Sequence, residues 1–156
     1  LTHLPKNPYG QACQEAKMKQ AYSRRGALQR PTEHFGQLIT FDHMFSAQAR
    51  MVELSGELHA FNIKDFYTGF IMAYPVQSRN AEECVKSIRH FLGGHRVVNV
   101  YSDNAREFIS GTPQFRSAHE TSLPGVHKNN SMIERTNQII EGGTTACLIQ
   151  AGLPPC

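Results

Sequence analysis

The sequence predicts an α/β domain with a mixed sheet, and two groups of segments carry that prediction. Residues 37–44, 58–66 and 68–76 have the β-branched and aromatic runs of strands, and the tight connection between the last two is typical of an antiparallel meander. Residues 79–92 have the periodicity of an amphipathic helix, and the β-branched run 97–101 follows them as a buried strand. A strand–helix–strand order indicates a parallel crossover, so the sheet combines antiparallel and parallel pairs.

The size and composition of the chain are those of one globular domain. Its 156 residues, 40% hydrophobic and 19% charged, are enough for a sizeable core. No apolar run approaches the roughly 20 residues that a membrane-spanning helix needs, so we expect no membrane partner. The four cysteines (Cys13, Cys84, Cys147 and Cys156) have no paired spacing, which predicts reduced thiols and an intracellular location.

The first 35 residues differ from the rest of the chain in charge. Residues 1–35 carry six Lys or Arg against two Glu, a net charge of +4, whereas residues 36–156 carry ten against eleven, a net charge of −1. Such a basic leader suits a polyanionic partner, and a solvated leader with no partner explains the charge equally well. We expect no zinc here, because Gly10 stands where a Cys-x-x-Cys pair with Cys13 would need its first cysteine.

An acidic residue interrupts the first predicted strand. Leu38, Thr40 and Asp42 share one face of residues 37–44, so the carboxylate stands in an otherwise apolar segment. A buried carboxylate is costly unless another group compensates it, and strand interiors are depleted in Asp. Asp42 is therefore a candidate functional residue. The alternative is an edge strand that leaves this carboxylate in solvent.

Two further acids stand at the ends of predicted elements. Asp103 lies just past the strand at 97–101, at the edge of an α/β sheet where ligands usually bind; alternatively it caps the following helix. Glu134 lies in the first turn of a helix predicted over residues 131–151, and Ser131-x-x-Glu134 also has the spacing of a capping box. In the same helix, the costly pair at 142–143, both glycines, would be explained by close packing against a neighbour.

These three acids can converge on one site. If the strands at 37–44 and 97–101 are neighbours, Asp42 and Asp103 lie side by side, and the last helix can bring Glu134 to the same edge. Three carboxylates in close quarters repel one another unless a cation neutralises them. Hard oxygen ligands favour Mg²⁺ or Mn²⁺, and two such ions can support the in-line displacement of a phosphodiester.

Short motifs in a fixed order link the chain to a known family. The motifs are ITFD at 39–42, IKDF at 63–66, YSDNAREF at 101–108, NSMIERTN at 130–137 and QAGLPP at 150–155. Through them, residues 36–156 resemble the catalytic core of retroviral and retrotransposon integrases, the Asp-Asp-Glu family, and in particular the long-terminal-repeat retrotransposon type. The leader at 1–35 resembles a degenerate remnant of that family's zinc-binding region.

The resemblance implies a fold, an activity and a set of site residues. The fold is ribonuclease-H-like: a mixed five-stranded sheet with three antiparallel and then two parallel strands, and helices on both faces. The activity is DNA integration by metal-dependent polynucleotidyl transfer, in which a DNA end is trimmed and its 3′-hydroxyl is joined to a target. Asp42, Asp103 and Glu134 correspond to the catalytic triad that binds two Mg²⁺ or Mn²⁺ ions, and Lys128 and Asn130 to the loop that approaches DNA.

The resemblance also implies partners and a location. The partners are DNA ends of the element and target DNA, a homo-oligomer is left open, and the location is nuclear if the element is active in a eukaryote. The chain departs from the family where Ala105 and Ser131 replace Gly, residues that resist a positive φ. Three alternatives therefore stay open: a related nuclease, a catalytically decayed remnant that only binds nucleic acid, and a plain structural domain.

Overall fold

A five-stranded mixed sheet is the centre of the fold. In the computed structural model of the chain, residues 31–45, 57, 59–122 and 131–153 are described, and they belong to one unit, Pro31–Cys156. The strand order is β3-β2-β1-β4-β5; β1–β2 and β2–β3 are antiparallel, and β1–β4 and β4–β5 are parallel. The strands are β1 (Leu38–Phe45), β2 (His59–Asp65), β3 (Ile71–Val76), β4 (Asn99–Ser102) and β5 (Ala118–Thr121).

Within the described residues, three α-helices accompany the sheet: α1 (Ala81–Leu92), α2 (Arg106–Gly111) and α3 (Ser131–Gln150). Helix α2 continues into a 3₁₀ turn, Thr112–Phe115. The Asn80 side chain accepts a hydrogen bond from the Glu83 N–H at 2.8 Å and so caps α1. Gly93 ends this helix in the left-handed region, at φ 56°, as a glycine after a helical repeat predicts. Among the described helices, none is long and apolar enough to cross a membrane.

The two faces of the sheet carry different side chains. On one face, Ile39 and Phe41 of β1 join a buried apolar cluster with residues of β2, α1 and α2. On the other face, Asn62 of β2 lies opposite Asp42 of β1, and its side chain contacts Asn137 of α3. The helices therefore cover both faces, with α1 and α2 on the apolar one and α3 on the polar one.

The predicted α/β class and five-stranded mixed sheet are confirmed, with two corrections. β1 lies in the middle of the sheet, so the alternative that placed Asp42 on an edge strand is wrong. The fifth strand runs over Ala118–Thr121, which is not among the four strand segments that the sequence pattern predicted. This strand is short, polar and mostly exposed, so it has no apolar alternation that would reveal it.

Gly36 fixes the start of β1 against both of its neighbours. Its N–H donates to Asp65 Oδ1 at 2.9 Å, and its carbonyl accepts from the Val98 N–H at 3.0 Å. Asp65 is fully buried and also accepts from the Thr68 N–H at 2.7 Å, so it stabilises the turn after β2. Gly36 has a φ of +81°, and a Cβ there would lie 2.5 Å from the Arg96 carbonyl oxygen. Only glycine allows this close junction.

The second half of α3 makes little contact with the described chain. Ile139 and Ile149 are more than half exposed. A Cβ built on Gly142 or Gly143 would meet nothing within 4 Å, so the expectation that these glycines allow close packing is wrong within the described residues. The first half of the helix is the part that is anchored, because Ile133 and Thr136 are fully buried.

Candidate active site

Parallel pairing of β1 with β4 brings two distant aspartates to one edge of the sheet. Thr40 is the register partner of Tyr101, and continuing the register by two residues places Asp103 beside Asp42. Neighbouring strands lie about 4.8 Å apart, so these two carboxylates extend from adjacent backbones at the carboxyl ends of parallel strands. This is the edge at which α/β proteins usually bind ligands.

The Asp42 carboxylate is held by two hydrogen bonds in a partly buried position. Its Oδ1 accepts from the His43 N–H at 2.8 Å, and its Oδ2 accepts from Asn137 Nδ2 at 3.1 Å. Burial, together with the negative charges of Asp103 and, more weakly, Glu134, raises the pKa of Asp42 from 3.8 to about 6, although the two hydrogen bonds act in the opposite direction. The three predicted acids therefore interact electrostatically, which is what convergence on one site requires.

Two amide side chains, the buried Asn62 and the partly buried Asn137, support Asp42, and the sequence analysis did not identify them. Asn62 Nδ2 donates to Asn137 Oδ1 at 2.8 Å, and Asn137 in turn donates to Asp42. Asn62 is fully buried, and its own Oδ1 has no hydrogen-bond partner among the described residues. The available signal was Asn62 itself, since a polar amide in the middle of an aromatic and β-branched strand needs an explanation.

Asp103 is fixed by its own backbone and by the neighbouring strand. Its Oδ1 accepts from the Ala105 N–H at 3.1 Å, in the manner of an Asx turn. The Ser102 hydroxyl donates to the Asp103 carbonyl oxygen at 2.8 Å and lies 2.8 Å from His119 Nε2. Burial lowers the pKa of His119, against the opposing effect of Asp103. The N-cap residue of α2 is Ala105, without a side-chain cap, so Asp103 shapes the turn without capping the helix directly.

Glu134 lies on the first turn of α3, three residues before Asn137, so the two side chains share one side of the helix. Glu134 is exposed, and its charge reaches Asp42 strongly enough to raise that carboxyl's pKa. The capping box predicted for Ser131 and Glu134 depends on a Ser131 side chain that lies outside the described residues. Lys128 and Asn130, predicted to approach DNA, also lie outside them.

The three acids are residue types that bind hard divalent cations, but the described residues do not show them arranged as a metal site. They are two aspartates and one glutamate, all oxygen ligands of the kind that Mg²⁺ and Mn²⁺ prefer. In residues 31–45, 57, 59–122 and 131–153, however, no group of three or more His, Cys, Asp and Glu side chains is arranged to hold a metal ion. Electrostatic coupling acts over longer distances than coordination does, so the acids are neighbours without forming a ready-made ligand cage.

The opposite face of β1 carries a second polar group, centred on His43. Its Nε2 lies 3.6 Å from Cys84 Sγ and 3.9 Å from Glu107 Oε1, and its ring stacks on Phe108. Burial, Arg79 and another histidine lower the pKa of His43 to about 4, against the opposing effect of Glu107. Burial first, and then the charge of Glu107, raise the pKa of the Cys84 thiol to about 12. At pH 7 these pKa shifts favour the neutral form of both side chains, so Glu107 is the acidic member of this group.

Ala105, beside Asp103, has a backbone conformation that alanine adopts without strain. Ala105 has φ −63° and ψ 138°, an ordinary extended conformation. Among the described residues, the only non-glycine residue with a positive φ is Arg116, at the end of the 3₁₀ turn. The concern that this position demands a left-handed residue is therefore wrong, and the turn beside Asp103 forms with alanine.

Comparison with known proteins leaves the site to be interpreted from its own geometry. No protein-family model matches the chain. No curated protein is found to match it either. Its assignment therefore depends on the positions and environments of Asp42, Asp103 and Glu134.

Proposed function

We propose that this chain is a metal-dependent polynucleotidyl transferase with a ribonuclease-H-like core, and that it carries out DNA integration as a retrotransposon-type integrase. One observation carries the proposal: the parallel register of β1 and β4 puts Asp103 beside Asp42, and the charges of Asp103 and, more weakly, of Glu134 on α3 raise the pKa of the Asp42 carboxyl group. Two further observations support the same conclusion. The motifs follow one another in the order found in the integrase family that the chain resembles, and the sheet is mixed.

Each acid has a separate role in this proposal. Asp42 and Asp103, side by side on β1 and β4, provide oxygen ligands from a rigid sheet, while Glu134 adds a third carboxylate from α3. A divalent cation held by these residues would activate a water or a sugar hydroxyl and would stabilise the leaving oxygen. Asn137 holds Asp42 Oδ2 in place through its amide, and burial of Asp42 restricts its rotation, so that the carboxylate is positioned before a ligand arrives.

The partner in this proposal is DNA, both the ends of the element and the target. Lys128, Asn130 and the basic leader remain predicted contacts. Binding directed mainly at phosphates is expected to weaken with salt and to depend little on sequence. Mg²⁺ or Mn²⁺ is the expected cofactor, and two ions are the number that in-line phosphodiester displacement favours.

The test is an assay of end trimming and strand transfer on a labelled DNA duplex with Mn²⁺. Asp103→Asn removes one carboxylate with little change of shape, so we expect turnover to fall at least about a thousandfold, while folding and DNA affinity stay close to those of the parent. Glu82→Gln is the matched control, because Glu82 is an exposed carboxylate on α1, and it should keep full activity.

The other outcomes separate the alternatives. Cleavage without joining identifies a nuclease, and salt-dependent DNA binding without Mn²⁺-dependent cleavage identifies an inactive nucleic-acid-binding remnant. If the protein neither binds nor cleaves DNA, it is a structural domain. If Asp103→Asn kept the full activity of the parent, whether that activity is joining or cleavage alone, the proposed site would be wrong.

A further inference from the structure

Asn62 breaks the pattern of the strand that contains it. Its neighbours Phe61 and Ile63 are fully buried apolar residues on the other face of β2, and Asn62 is equally buried on the polar face. A buried amide whose acceptor is left unpaired costs free energy that an apolar residue of similar size would not. At a central position of the sheet, such a residue therefore needs a compensating role.

The hydrogen bonds around Asn62 form a directed chain that ends on Asp42. Asn62 Nδ2 donates to Asn137 Oδ1 at 2.8 Å, and this bond determines which end of the Asn137 amide points toward β2. The remaining end, Nδ2, then donates to Asp42 Oδ2 at 3.1 Å. Because Asn62 and Asp42 are cross-strand partners, the same two backbones hold both ends of the chain.

We propose that Asn62 is a positioning residue: by donating to Asn137 Oδ1 it fixes the amide of Asn137, which in turn fixes the carboxylate oxygen that Asp42 presents to a divalent cation. The inference rests on the proposed function for the cation and extends it to a residue outside the acidic triad. With Asn62 absent, the Asn137 amide can rotate about its last bond. Asp42 Oδ2 then loses the hydrogen bond that holds it in one orientation, and the carboxylate samples several orientations.

The first test needs no metal and follows the side-chain amides by NMR. In the parent, the Nδ2 protons of Asn137 should exchange slowly with water and show a nuclear Overhauser contact to the His43 N–H, which shares the Asp42 carboxylate. Asn62→Val should accelerate the exchange of the Asn137 amide protons and weaken that contact. Thr40→Val is the matched control, because Thr40 is also fully buried and also has an unpartnered oxygen, and it should change neither.

The second test measures Mn²⁺ binding by electron paramagnetic resonance of the free ion. We expect Asn62→Val to raise the Kd for Mn²⁺ by about tenfold, which is the lower end of the affinity lost when a group that orients a metal ligand is removed. Thr40→Val should leave the Kd unchanged. In an Asn137→Ala background, Asn62→Val should have no further effect, because the relay is already broken. If Asn62→Val does not fold, Asn62→Ser replaces it, since its shorter side chain also cannot reach Asn137.

Two results would overturn the inference. One is an unchanged Asn137 amide in Asn62→Val. The other is an unchanged Mn²⁺ Kd in Asn62→Val under conditions in which Asp42→Asn abolishes binding, because the cation site would then be real and Asn62 irrelevant to it. If Asp42→Asn leaves Mn²⁺ binding unchanged, the proposed function fails instead, and the metal-free amide measurement still decides whether Asn62 orients Asn137.

Discussion

The two faces of the central strand show how one segment can serve stability and function at once. On one face, Phe41 packs between Phe61 and Phe108, with ring centroids 5.4 and 4.8 Å away. On the other, Thr40, Asp42 and Asn62 form a polar layer in which Thr40 Oγ1 and Asn62 Oδ1 have no hydrogen-bond partner among the described residues. Alternation along a strand separates these environments by a single residue. The apolar face stabilises the fold, and the polar face lowers its stability in order to hold a carboxylate.

Titration makes the same contrast between adjacent residues. Burial raises the pKa of Asp42 to about 6 and lowers the pKa of His43 to about 4. In both cases burial disfavours the charged form. Since Asp42 is an acid and His43 is a base, Asp42 lowers stability at high pH and His43 lowers it at low pH. The pH at which stability is lost therefore tells which face of the strand is responsible.

The largest expected effect comes from truncating the apolar face. Phe41→Ala removes a fully buried ring and should lower the free energy of unfolding by about 3–5 kcal/mol, because a cavity replaces the lost contacts. Thr40→Val, on the polar face of the same strand, should leave that free energy unchanged or raise it, because a buried unpartnered hydroxyl disappears. Urea denaturation measures both, and equal losses in the two variants would contradict the contrast.

Neutralising the acid on the polar face should raise stability at pH 7. Because the pKa of Asp42 is higher in the folded protein than its usual 3.8, its contribution to stability is present below pH 3.8 and is lost as the pH rises through 6. Asp42→Asn should therefore raise the free energy of unfolding by up to about 3 kcal/mol at pH 7. The gain should nearly vanish at pH 4. Thermal unfolding across this range tests it, and a gain independent of pH would refute the electrostatic cause.

The opposite pH dependence is expected from the apolar face. The folded pKa of His43 lies near 4, below its usual 6.5, so its contribution is fully present above pH 6.5 and is lost as the pH falls toward 4. This loss should reach about 3 kcal/mol at pH 4. His43→Leu should remove the acid-side loss while changing stability at pH 8 much less. An unchanged acid-side slope in this variant would show that other groups cause it.

The smallest effect concerns α3 beyond its anchored half. Gly143→Ala should raise the free energy of unfolding by about 1 kcal/mol, since helix propensity improves and the added Cβ meets no described residue within 4 Å. Gly111→Ala, in contrast, should be destabilising, because its Cβ would lie 3.3 Å from a Val85 methyl and 3.4 Å from the Ala81 carbonyl oxygen. A loss of stability in Gly143→Ala would mean that a partner covers this part of the helix.

Local pattern was enough to predict most of the fold and part of the site. The helix Ala81–Leu92 has a periodic apolar stripe, and Gly93 after it marks its end in the sequence. The first four strands have β-branched and aromatic runs. The proximity of Asp42 and Asp103 was predicted only on the condition that their two strands are neighbours, because a crossover connection indicates parallel strands without identifying which strands pair. The strand Ala118–Thr121 was missed because its stability comes from pairing with β4 and its side chains are mostly exposed.

The supporting amides could not be predicted in the same way. Asn62 and Asn137 are 75 residues apart, and nothing local in either segment indicates that the two side chains meet. Their bond depends on how α3 docks across the sheet, which is a tertiary property. Asn62 was recognisable only as an exception to strand composition, and exceptions of this kind are where functional residues concentrate.

The parallel register between Thr40 and Tyr101 has a consequence for how the protein folds. A hairpin can close early, whereas a pairing across so long an intervening chain must wait until much of the conformational entropy has been lost. We therefore expect the acidic cluster to form late in folding, when α3 brings Glu134 toward Asp42 and Asp103. Divalent ions that favour the assembled state would accelerate this last step only if it limits the rate, so refolding kinetics with and without Mn²⁺ would reveal when the cluster forms.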